Sequence, residues 1–146
     1  MQTVEQFLPP FQLQRFLAAR LPYVLGHGTN SRAAINATAT ATAAQVATGY
    51  ITSTSAAATT ITLPTGTLLG NFLGAQQGDT LELYVDNTAG ASTVTMAVAT
   101  NGILSDAANT TSASFGQLTV ASGATGIGRF TIMFTSPTTY VFTRTA

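Results

Sequence analysis

The chain contains no lysine, cysteine or tryptophan, and only 7% of its residues are charged. The missing cysteine excludes a disulfide framework and a thiolate metal site. The missing lysine excludes a lysine-bearing phosphate loop. Arg15, Arg20, Arg32, Arg129 and Arg144 balance Glu5, Asp79, Glu82, Asp86 and Asp106, so the formal net charge is zero. Nucleic-acid binding calls for clustered basic residues, and none are clustered here. No apolar run is long enough to span a membrane. No signal peptide is visible either: there is no basic n-region, Glu5 comes early, and Pro9-Pro10 interrupts the apolar stretch. These absences fit a lipid-free protein that stays in the cytoplasm until it is assembled.

What is present is threonine and alanine, 28 and 24 of 146 residues. Threonine suits a pleated, half-buried surface, and alanine with glycine suits close packing and tight turns. The composition therefore predicts an all-β domain, large enough to bury a core. A free-standing domain usually has about 25–35% charged residues on its surface. Here much of the exterior must be Thr, Ser, Asn, Gln and Ala, which predicts that it lies against neighbours. A neutral secreted domain is the alternative.

The pattern divides into three parts. Residues 1–25 form the only convincingly helical region, read as a helical docking arm. Thr3 and Gln6 have capping-box spacing, and Pro10 suits the first position of a restarted helix. Leu13, Phe16, Leu17, Arg20 and Leu21 then recur at helical spacing with Phe11 nearby, until Leu21-Pro22 ends the run. Such a face caps the β domain or docks into a partner's groove. Residues 26–48 are low in complexity and read as an Ala/Thr-rich linker or edge strand with a poorly specified register. Residues 49–146 read as the β domain. Leu68, Leu69, Phe72 and Leu73 predict one buried helical turn after Pro64-Thr65-Gly66. Leu81, Leu83 and Val85 alternate with Glu82, Tyr84 and Asp86. Val94, Met96 and Val98 alternate with Thr93, Thr95 and Ala97. These two runs predict a hairpin around Asn87–Ala91. A second hairpin is predicted around Ser136-Pro137-Thr138, with Phe130, Ile132 and Phe134 inward. Turn signals every 8–12 residues or so predict an all-β, antiparallel β-sandwich, jelly-roll-like, with a short N-terminal helical arm.

No catalytic constellation stands out, and the expectation is a non-enzyme without cofactor or metal. His27, the single histidine, lies in a glycine-flanked turn, a poor place to hold a base. Asp79, Glu82 and Asp86 are the one acidic cluster. Glu82 and Asp86 share a strand face and could bind an ion with Asn87, but solvation or pairing with Arg129 across the sheet is favoured. Tyr50, Tyr84 and Tyr140 are candidate intersubunit or surface contacts, and would make a sugar-stacking platform if they shared a face.

One stretch carries a family resemblance. Thr60–Thr65 (TITLPT), Leu68–Leu73 (LLGNFL), Gly78–Thr88 (GDTLELYVDNT), Thr93–Met96 (TVTM) and Arg129–Ser136 (RFTIMFTS) follow one another in a spaced series. The series resembles a recurrent β-domain of tailed-phage virion proteins, found in head-decoration and head-fibre components. It covers roughly Gly49 to Arg144. The resemblance implies a jelly-roll-like sandwich, a homotrimer, and a place on the virion surface after assembly in the host cytoplasm. The function expected is that of a capsid decoration or head-fibre subunit whose arm, through Phe11, Leu13, Phe16, Leu17 and Leu21, docks on the major capsid protein and stabilises the particle. The alternative is a receptor- or glycan-binding tip of a short fibre. Neither nucleic acid nor membrane is an expected partner.

Overall fold

The computed structural model describes residues 32–104 and 118–146. The arm residues Phe11, Leu13, Phe16, Leu17 and Leu21, and His27, lie outside them. In chain order the elements are β1 (Ala33–Ala34), β2 (Ala39–Thr40), α1 (Ala43–Ala47), β3 (Tyr50–Thr52), β4 (Thr59–Thr62), α2 (Gly66–Leu73) and β5 (Thr80–Asp86). They continue with β6 (Val94–Ala97), β7 (Gly102–Leu104), β8 (Thr119–Val120), β9 (Ile127–Ser136) and β10 (Thr139–Arg144).

Two sheets share these strands, ordered β1-β3-β5-β9-β10-β7 and β2-β4-β6-β8. Up to β9, each successive strand joins the sheet opposite its predecessor's. The first six strands therefore wind as coils, with β1, β3 and β5 parallel in one sheet and β2, β4 and β6 parallel in the other. Buried Ala33, Ile51 and Val85 stack through the coils as register partners. The chain then places β7 at the far edge of the six-stranded sheet, leaving a gap two strands wide beside β5. The antiparallel hairpin β9–β10 fills that gap, pairing with β5 on one side and in parallel with β7 on the other.

This corrects the expected fold. The sheets mix parallel and antiparallel pairs and carry helices, so the domain is not an all-β, antiparallel jelly roll. The runs 80–86 and 92–98 do not form a hairpin either: β5 and β6 belong to different sheets, and the loop between them is an arch. Asn87 supplies the physical reason. It is fully buried at the end of β5, and its carboxamide donates to the carbonyls of Ser92 (2.8 Å), Val120 (3.2 Å) and Ala121 (3.0 Å). Its backbone N–H donates to Gly126 O at 2.6 Å. One residue thus ties the end of β5 to the opposite sheet, which turns the chain across the core instead of back along its own strand.

The core lies between the sheets. Strand alternation points Leu81, Leu83 and Val85 inward from β5, and Phe130, Ile132 and Phe134 inward from β9. The rings of Phe130 and Phe142 stack at 5.0 Å, and Phe134 meets Tyr140 edge-on at 6.0 Å. Residues upstream of Gly49 join the same core through Ala33, Ile35, Ala41 and Val46. Val46 is carried by α1, which Thr42 and Gln45 start with a reciprocal capping box.

Helix α2 is capped by Thr65 and stopped by Gly74 in the left-handed conformation. Of its four large apolar side chains it buries Leu69 and Leu73; Leu68 and Phe72 are 61% and 55% exposed. The helical spacing expected to bury all four therefore splits between two faces. Gly70 lets the helix lie on the β9–β10 turn: a Cβ there would stand 1.9 Å from Pro137 O.

Two substitutions test this arrangement. Gly70→Ala gains about 1 kcal/mol of helix propensity, but the added methyl meets backbone. A net loss of roughly 1–3 kcal/mol is expected in urea unfolding; a gain would mean that α2 does not pack on the turn. Asn87→Ala removes the three hydrogen bonds to Ser92, Val120 and Ala121, one of them buried, and at about 0.5–1.5 kcal/mol for each bond lost it should be among the most destabilising polar substitutions. An unchanged urea midpoint would show that Asn87 does not hold the arch.

Candidate functional site

Period-two alternation puts Glu82, Tyr84 and Asp86 on the outer face of the six-stranded sheet. Register then decides their neighbours. Tyr84 lies between Tyr50 of β3 and Arg129 of β9, and Asp86 lies beside Thr52. The structure thus brings Tyr50 and Tyr84 together on one face. Tyr140 is not with them. It is fully buried, and its hydroxyl donates to Pro64 O at 2.9 Å. Burial pushes its pKa well up. As a surface contact Tyr140 is therefore corrected to a core residue: its neighbours Phe134 and Phe142 on this face of the hairpin point inward, and so must it.

The acidic residues do not converge. Asp79 caps a turn, accepting from Gln76 N–H at 2.9 Å. Glu82 pairs with Arg129, the cross-sheet partner weighed from the sequence, and the guanidinium lies 5.9 Å from the Tyr84 ring centroid. The hydrogen bond and charge of Glu82 raise the Arg129 pKa further. Both side chains are about 40% exposed, at 43% and 41%. The pair is therefore worth little as a stabiliser, but it holds the guanidinium over the Tyr84 ring.

Asp86 is the better-held group. Its Oδ1 accepts from the Thr88 N–H at 2.9 Å and the Thr88 hydroxyl at 2.6 Å, and its Oδ2 accepts from the Tyr50 hydroxyl at 2.5 Å. The Thr88 hydroxyl, then the Tyr50 hydroxyl, then the Thr88 amide hold the carboxyl below its ordinary pKa. The same bond raises the Tyr50 pKa, with burial adding to it. Among the described residues no three His, Cys, Asp or Glu side chains are placed to hold a metal. No helix among them is long and apolar enough to cross a membrane.

Two features were not evident from the sequence. One is a trough of about 260 Å³ beside Tyr50 and Asp86, lined also by Arg32, Ala34, Asn36 and Thr52. It depends on β1 pairing with β3, and the two-residue strand β1 leaves no periodic signal. The other is an apolar row on the same outer face. Met133, Val141 and Ile103 are register partners across β9, β10 and β7. The alternation of β9 does place Met133 outward, so that part was readable.

The chain matches no protein-family model, no curated protein and no solved structure.

The Asp86 contacts set a pH dependence. Its folded pKa is depressed, so its contribution is present above the ordinary carboxylate value and is lost as pH falls through the folded value. Melting temperature should therefore fall on acidification below about pH 4, and Asp86→Asn should flatten that slope. An identical acid limb in the variant would show that Asp86 contributes nothing to it.

Proposed function

We propose that this chain is a structural subunit of an assembled particle, of the capsid-decoration or head-fibre kind, acting by contact and not by chemistry. The observation that carries the reading is the apolar row on the outer sheet face. Ile103 and Met133 are 50% and 43% exposed, with Val141 between them. Single exposed apolar residues are ordinary on any surface. Three in register across adjacent strands form a continuous band, and Leu68 and Phe72 add a second apolar site on α2. Burying each such side chain is worth on the order of 1.5–3 kcal/mol, before the cost of association is subtracted.

The scarcity of charge supports the same reading: the chain has only 7% charged residues, and those on this face, Arg32, Glu82, Asp86 and Arg129, lie on the β1–β3–β5–β9 side while β10 and β7 present Val141 and Ile103. The spaced motifs between Thr60 and Ser136, which resemble tailed-phage virion components, suggest where such a subunit would sit. In this reading the β domain forms a homotrimer through its outer faces. The arm, with Phe11, Leu13, Phe16, Leu17 and Leu21, docks on the major capsid protein, and threefold repetition adds avidity.

The mass of the purified chain in solution tests the assembly step. A trimer is expected, and Met133→Glu with Ile103→Glu should convert it to a folded monomer. A monomer already in the unmodified chain at micromolar concentration would overturn the trimer. Deleting residues 1–25 should leave a folded domain that no longer joins particles, and undiminished particle occupancy would overturn docking by the arm.

A further inference from the structure

A second surface feature lies apart from the apolar row, at the other side of the six-stranded sheet, where β1, β3 and β5 meet. Its floor is made of small groups: Ala34 and Thr52 are register partners, and Asp86 follows in the same row. Two residues back along the strands, and so one row over, stand Arg32 and Tyr50. Two residues forward stand Asn36, Thr54 and Thr88. The small floor between these taller rows makes the trough of about 260 Å³. That is just below the roughly 300–1,000 Å³ of pockets that hold drug-sized ligands, and it suits one ring rather than an extended molecule.

The chemistry of the lining narrows the class of ligand. Asp86 is fixed by three donors and offers about four lone-pair sites, so one acceptor position remains for a ligand hydroxyl. Asn36 accepts the Thr54 N–H at 2.9 Å through Oδ1, which turns its amide donors away from that bond. Arg32 adds further donors. One carboxylate and one guanidinium line the same trough, so neither an anion nor a cation is favoured as a whole. A ligand that both donates and accepts, without net charge, matches this set. The phenol of Tyr50 is tethered through its hydroxyl to Asp86, leaving the ring as a fixed apolar wall. No side chain on the floor is larger than threonine and apolar, so an anchor residue of a peptide has no pocket to fill.

We propose that this trough binds one ring of a neutral saccharide, its hydroxyls meeting Asp86, Asn36 and Arg32 and its C–H face lying on Tyr50. The site does not require that the chain assemble on a particle. A single ring in a shallow site binds in the millimolar range.

The test is a titration of the ¹⁵N-labelled full chain with glucose, galactose, N-acetylglucosamine and rhamnose, read by amide chemical shifts. Saturable shifts at Ala34, Thr52, Asp86 and Thr88 are expected with at least one of these sugars. Asp86→Asn and Tyr50→Ala should each weaken binding by about tenfold or more. Tyr50→Phe keeps the ring wall, and binding within a few-fold of the unmodified chain is expected, so the site remains testable if Tyr50→Ala does not fold. Three results would overturn the proposal: no saturable shift at these amides with any of the four sugars, equal affinity in Asp86→Asn, or glucuronate binding more than tenfold tighter than glucose, which would make the site an anion site.

Discussion

The arch after β5 depends on one carboxamide. Asn87 is buried where the chain leaves the six-stranded sheet, and its donors reach carbonyls just before β6 and at the end of β8. A buried amide group is tolerated only when its donors are satisfied. Three carbonyls converge on two N–H groups here, so geometry around the residue is heavily determined. Its Oδ1 has no partner among the described residues, and Gly90 lies so close that a Cβ there would stand 2.1 Å from it. The loop therefore needs glycine at 90 as well as asparagine at 87. With the arch in place β6 lies beside β4, the two sheets face one another, and the core closes between them.

This explains which parts of the fold were readable in advance. Alternation along β5, β6, β9 and β10 identified the buried face of each strand, because a period of two depends only on one side being covered. The β9–β10 hairpin was also readable. Alternation carries no information on which strand lies alongside, and an arch and a hairpin leave the same pattern on their flanks. That is why 80–86 and 92–98 read as a hairpin and the sheet as antiparallel. The Asn87–Ala91 segment has ordinary turn composition, and only burial distinguishes its asparagine. The strands β1 and β2 are two residues long, too short for any periodicity, and the Ala/Thr run around them is equally compatible with a linker.

The outer face tells a similar story at the level of single side chains. Tyr50 and Tyr84 were recognisable as a pair only if the register of two distant strands was known, since 34 residues separate them. Tyr140 shares their residue type but not their side of the sheet, and its hydroxyl is occupied at Pro64. Charge scarcity was visible from composition. Its distribution was not: Glu82, Arg129, Asp86 and Arg32 gather on the β1–β3–β5–β9 side of the sheet, while β7 and β10 present Ile103 and Val141. One face thus has a polar, aromatic side and an apolar side, and the two can serve different contacts.

The order in which the six-stranded sheet is filled bears on how the protein is made. A ribosome delivers β7 before β9 and β10, yet those two strands occupy the places between β5 and β7. Until residues as far as Arg144 have emerged, the nascent chain holds a slot whose walls are Leu81, Leu83 and Val85, with no Phe130, Phe134, Tyr140 or Phe142 to fill it. The Pro64 carbonyl waits for a tyrosine 76 residues downstream. Folding is therefore completed after translation of this region and not along with it. The half-built domain carries an open apolar cleft and unpaired strand edges, the features that draw chaperones or other nascent copies. That interval is when a neighbouring copy of the chain can exchange a hairpin with it.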